Sequence, residues 1–123
     1  MGDRANFGFR QSNENVVFLY GHWAGHDMLS KLADAVTVAR PRWSDESYAT
    51  RICISQLVGE DWNQELGWGL HVNEIGDNEH KIPVIDWSKQ TFTLYQEDLQ
   101  TVVFSMSLID FCIKYSQLAG VTK

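Results

Sequence analysis

An apolar run, Val16-Val17-Phe18-Leu19-Tyr20, breaks into the turn Gly21-His22-Trp23-Ala24-Gly25-His26 and resumes at once as a helical pattern. From Asp27 to Arg40, the residues Met28, Leu29, Leu32, Val36 and Ala39 recur at helical spacing, with Lys31, Asp34 and Thr37 on the other side. A buried strand therefore feeds directly into an amphipathic helix. The two glycines of the turn supply the backbone freedom that so short a reversal needs. A strand-to-helix loop of this kind is where a rigid scaffold presents side chains, and this one carries His22, Trp23 and His26.

The rest of the chain divides into short strands and two further helices. Ala5 to Gln11, with Phe7 and Phe9 on one face, predicts a first strand, joined to Val16–Tyr20 through the polar turn Ser12-Asn13-Glu14-Asn15. Pro41 ends the first helix. Ser44 is the expected N-cap of the second, with Asp45 and Glu46 in its first turn and Gly59 at its end. Gly67 to Ile75 alternates through Trp68, Leu70 and Val72 and reads as a third strand; Gly76-Asp77-Asn78-Glu79 reads as a turn. Lys81 to Trp87 predicts a fourth strand, in which Pro83 marks an edge or a locally unpaired position. Gln90 to Gln96 and Thr101 to Ser105 follow as a fifth strand and a short sixth. Ser107 and Asp110 resemble a capping box for a helix carrying Leu108, Phe111, Cys112, Tyr115 and Leu118, closed by Gly120; one long helix from Leu99 is the alternative. This order predicts an α+β fold, an antiparallel sheet of five or six strands with about three helices packed on one face. A chain of 123 residues has room for one good core, so residues 1–123 are expected to form a single domain with a tail that frays after Gly120.

Charge and cysteine content narrow the function. A formal net charge of −6 disfavours the counterion displacement that nucleic-acid binding requires. The local cluster Arg40, Arg42 and Arg51 keeps a small anionic ligand in play. Cys53 and Cys112 both fall in apolar helical contexts, and two reduced, buried thiols point to the cytoplasm. No apolar run has the length of a bilayer span or of a signal peptide's core, so no membrane partner is expected.

Three groups carry the candidate chemistry. His22, Trp23 and His26, with Glu79 and His80, hold the donor types of a metal site, and His22-x3-His26 matches part of one signature. Capping of the first helix and local hydrogen bonds explain the same residues. Arg42 and Trp43 pair a guanidinium with a flat ring before a helix N-terminus, suited to an anion or a base; packing explains each singly. Asp77-Asn78-Glu79-His80 concentrates polar groups on a turn. Trp62, Trp68 and Trp87 read as core or as a partner-facing set. Neither a nucleophile elbow nor a phosphate-cradling glycine loop is present, so the chain reads as non-catalytic rather than as an enzyme, with no cofactor expected.

The opening Met1-Gly2-Asp3-Arg4-Ala5-Asn6, the turn Leu19 to His26, Arg42-Trp43-Ser44-Asp45, Gly67-Trp68-Gly69 and Asp77-Asn78-Glu79-His80 occur in order. Together they resemble a family of small uncharacterised proteins from bacteria and their phages that begin MGDRAN and carry a Tyr-x-His-Trp-x-Gly turn. The likeness runs from Met1 to about Gln96 and implies a bacterial or phage setting. The first expectation for function is a binding protein for a small polar, nucleotide-like anion, held by Arg4, His22, Trp23, His26, Arg42, Trp43, Asn78 and His80. In a phage such a protein would sequester a host-defence signal. The second is a protein–protein module or inhibitor of a host protein, for which Trp62, Trp68 and Trp87 should share an exposed face. The third is a metal-dependent hydrolase using His22, His26, Glu79 and His80. Homo-oligomerisation is left open.

Overall fold

Ala5, Phe7 and Phe9 alternate along strand β1 (Ala5–Arg10) and are all buried on one side of it. The rest of the core assembles on that side. The computed structural model describes residues 2–118, 120 and 121. After β1 come β2 (Val16–Gly21), α1 (Met28–Val38), α2 (Glu46–Val58), β3 (Trp68–Val72), β4 (Ile82–Asp86), β5 (Thr91–Tyr95), β6 (Val102–Ser107) and α3 (Leu108–Tyr115). Single 3-10 turns lie at Arg40–Arg42 and Gly59–Asn63. The fraying expected after Gly120 falls, Val121 apart, on residues outside this description.

The six strands form one sheet in the order β3-β2-β1-β4-β5-β6. Every neighbouring pair is antiparallel except β1 and β4, which run parallel with Gly8 opposite Val84 and Arg10 opposite Asp86. The fold is α+β as expected, but the sheet is mixed rather than purely antiparallel. The connection from β3 to β4 is the reason. Val72 pairs with Val17 near the Arg10 end of the sheet, whereas Ile82 begins β4 towards the Ala5 end. Residues 73–81 must therefore travel back along the sheet, which lays β4 parallel to β1. They cross the face opposite the helices, where Ile75 packs with Val16, Phe18, Ile82 and Val84. Phe18 fits there because Gly8 lacks a Cβ, which would stand 2.8 Å from the Phe18 ring and 3.0 Å from Val84.

The main core lies between the other sheet face and the three helices. Leu19, Ile85, Phe92 and Leu94 join the β1 residues from the sheet; Leu32, Val36, Ala49, Cys53, Leu108 and Phe111 come from the helices. Ser107 caps α3 as expected, its Oγ accepting the Asp110 N–H at 3.1 Å. Asp45 rather than Ser44 is the residue before α2, with no side-chain cap. The third helix stops at Tyr115, short of Gly120, where Ser116 Oγ donates to Asp34 at 2.7 Å. Pro83 sits in an inner strand, but the β1–β4 ladder starts only at Val84 and leaves it just outside. Among the described residues, no helix is long and apolar enough to cross a membrane.

Candidate functional site

The two turns singled out in the sequence meet through Asp3. Its backbone N–H donates to His22 O at 2.8 Å and its carbonyl accepts the Gly25 N–H at 2.9 Å. Its carboxylate shares a 2.5 Å hydrogen bond with His80 Nε2. Gly25 covers this pair so closely that a Cβ would strike both the His80 ring and the Asp3 carboxylate. Gly25→Ala is therefore expected to lower stability by about 2 kcal/mol, the range of an overpacked site, measured by urea denaturation.

The neighbouring polar groups are committed to internal partners. Arg4 donates its backbone N–H to Glu79 Oε1 at 2.9 Å and its Nε to the same oxygen at 3.2 Å, while Nη1 lies 3.5 Å from Asp77. The Arg4 backbone N–H first, then its side chain, hold the Glu79 carboxyl below the usual range. Asn78 donates to the His80 carbonyl and to Glu97. Asn6, fully buried, holds the crossover in place: its Nδ2 donates to Asp77 O and Asn78 Oδ1, both at 3.1 Å, and its Oδ1 accepts the Gly76 N–H at 3.1 Å.

The remaining expected site residues do not join this group. His26 is exposed and pairs with Asp27 at 3.1 Å. Trp43 is buried, its Nε1 donating to Val36 O at 2.9 Å, and the Arg42 guanidinium lies 5.6 Å from the Tyr48 ring centre. Trp43 and Ser12 line a cleft with Trp87 beyond the far end of β1, so Arg42 and Trp43 stand a strand's length from Arg4. Among the described residues, no three His, Cys, Asp or Glu side chains are grouped as a metal site requires. The metal set His22, His26, Glu79 and His80 is not assembled. Cys53 and Cys112 are free, and burial pushes both thiols up, which keeps them protonated and unreactive at neutral pH.

What the fold does build is an aromatic surface at β3, an edge strand. Tyr20 OH and His22 Nδ1 lie 2.8 Å apart, and the His22 ring stands edge-on to Trp23 with centres 4.5 Å apart. The His22 N–H donates to Gly67 O at 2.8 Å, extending the β2–β3 ladder. Trp23 is thereby laid against Gly67, beside Trp68. A cavity of about 430 Å³ opens there, lined by Trp23, Asp61, Gln64, Glu65, Leu66, Gly67 and Trp68. A groove of about 290 Å³ adjoins it, running between the end of α2 and β3 past Val58, Trp62 and Leu70. Trp23, Trp62, Leu66, Leu70 and Val72 keep 60–79% of their surface in solvent. Of the three tryptophans expected on one face, Trp62 and Trp68 share it. Trp87 is only 3% exposed, stacked on Phe9 in the core.

No family model, curated protein or solved structure matches the chain. Residues 52–80 carry six carboxylates (Glu60, Asp61, Glu65, Glu74, Asp77, Glu79) and no Lys or Arg, a formal −6 equal to that of the whole chain. The β3 surface exposes Trp23, Trp62, Leu66, Leu70 and Val72, and Asp61 and Glu65 line its cavity, while Asp77 and Glu79 are paired with Arg4 on the crossover. Sequence reasoning missed Asp61, Glu65, Leu66, Leu70 and Val72 as site residues. Their signal was present: an uncharged strand, Trp68 to Val72, bracketed on both sides by acids.

Proposed function

We propose that this protein is a docking module that takes an extended, basic segment of a partner protein along β3. The observation that carries the reading is an edge strand without charge or proline that lies beside a tryptophan-lined cavity carrying Asp61 and Glu65; the other edge, β6, is equally uncharged and serves as the comparison. Natural edges are blunted by charge, proline or a covering element. β3, reading Trp-Gly-Leu-His-Val, has no Lys, Arg, Asp, Glu or Pro, and one side of it presents Leu70 and Val72 to solvent. A strand added there gains main-chain hydrogen bonds, and its alternate side chains meet Leu70, Val72 and the tryptophan cavity. The acidic surround selects a cationic partner and opposes a second copy of this −6 chain. In the bacterial or phage setting implied by the sequence resemblance, that partner is a host protein. The small-anion reading has less support, since Arg4 is paired with two carboxylates and Arg42 lies at the other end of the sheet.

A photo-crosslinking residue in place of Val72, compared with one in place of Val103 on the opposite edge, tests the reading in cells. Crosslinks at position 72 to one protein with a basic extended segment, absent at 103, are the expected result. Crosslinks only between two copies of this chain, or equal yields at the two edges, would sink it. Trp62→Ala should leave stability within about 0.5 kcal/mol, because the ring is exposed. The same change should weaken binding of the crosslinked partner by about 2 kcal/mol in calorimetry, as an anchoring tryptophan does.

A further inference from the structure

We infer that the cavity between Trp23 and Trp68 is a specificity pocket for a single cationic side chain, with arginine preferred over lysine. The inference rests on the docking reading for its natural occupant, though not for its chemistry. Two indoles border the cavity, and Asp61 and Glu65 supply its charge; no cation is among its lining residues. Lys31 lines a second cavity of about 220 Å³ that shares Trp23, Asp61, Gly67 and Trp68 with the first and continues towards Phe7 and Leu57, so Glu65 is the carboxylate that belongs to the outer cavity alone.

Each wall is held in place. Trp68 Nε1 lies 3.4 Å from Asp61 Oδ2, which joins one ring to one carboxylate. Trp23 is fixed by the edge-on His22 ring, itself held by Tyr20, and by the bare backbone of Gly67, whose φ of 103° favours glycine. A Cβ on Gly67 would stand 3.3 Å from the Trp23 ring. A planar guanidinium lies flat on an indole face while its N–H groups reach a carboxylate, and an ammonium satisfies only the charge. The cavity of about 430 Å³ is large enough for a guanidinium with part of its aliphatic stem.

The test uses the whole chain and two small probes, N-acetyl-arginine amide and its neutral isostere N-acetyl-citrulline amide, followed by the indole N–H signals in NMR. The arginine probe should shift the Trp23 and Trp68 signals saturably. The citrulline probe should bind at least about tenfold more weakly, and Trp23→Leu and Asp61→Asn should each weaken the arginine probe by a similar factor. Equal binding of both probes, or no saturable shift at either ring, would overturn the inference. The two readings fail separately. Arginine binding without crosslinks at position 72 leaves the pocket standing and removes the docking reading. Crosslinks that persist undiminished in Asp61→Asn keep docking and remove the pocket.

Discussion

Phe111→Ala is expected to cost about 4 kcal/mol of folding stability, the largest effect of any single change considered. The Phe111 ring is fully buried and stacks on Phe92 with centres 4.0 Å apart and planes 7° from parallel. Tyr115 leans on it from the next turn at 5.4 Å. Truncation removes the transfer free energy of a whole aromatic ring, leaves a void between α3 and β5, and deletes a stacked pair worth about 1 kcal/mol beyond its area. The eight residues of α3 are too few to be helical alone, so the helix is held by the packing of Leu108, Phe111 and Cys112, by the Ser107 cap and by the Ser116–Asp34 hydrogen bond. Urea denaturation should show a lower midpoint with an unchanged slope. Ile113→Ala on the same helix, where the side chain is 44% exposed, should change stability by no more than about 0.5 kcal/mol. Equal losses in the two variants would mean that α3 is held by something other than its Phe111 face.

Most of the fold was legible because it is written in periodicity. Phe7 and Phe9 on one side of β1, and Leu32 and Val36 on one side of α1, name their strand and helix and their buried faces. Strand order was less legible. Gly76-Asp77-Asn78-Glu79 has the composition of a hairpin turn, and composition does not distinguish a turn that reverses the chain from a bend in a crossover. The distinguishing group is Asn6, about seventy positions away, which looks in sequence like an ordinary polar residue on a strand whose Phe7 and Phe9 mark the buried face. The site followed the same rule. Arg4, Asn78 and His80 looked available because their partners, Glu79, Glu97 and Asp3, are partners only in space. Trp43 and Trp62 are equally apolar in sequence; one is buried and the other exposed because α1 offers Trp43 a carbonyl and a core, while the 3-10 turn after α2 holds Trp62 beyond any neighbouring layer. That Trp23 and Trp68 line one cavity depends on the β2–β3 register, which puts Gly21 opposite Trp68.

Asn6→Ala is expected to cost about 3 kcal/mol and to loosen the crossover more than the rest of the sheet. Asn6 is a buried amide with no access to water, and it serves three consecutive residues of another segment. Alanine leaves the Gly76 N–H and the Asp77 carbonyl without their partner in a part-buried site, and each unsatisfied group costs about 1–3 kcal/mol. Relaxation of residues 76–78 towards solvent would recover part of that, which is why the figure falls below a simple sum. Packing does not compensate, because the hydrogen bonds and the tight fit of Gly76 against Tyr20 and His71 are what close the segment onto the sheet. Amide hydrogen exchange separates this local effect from a global one. Protection at Gly76 and Glu79 should fall well beyond the loss at Phe9 or Ile85, where exchange reports the core. A uniform fall would show that the amide only adds to global stability. A selective fall would show that one side chain on β1 holds the crossover against the sheet.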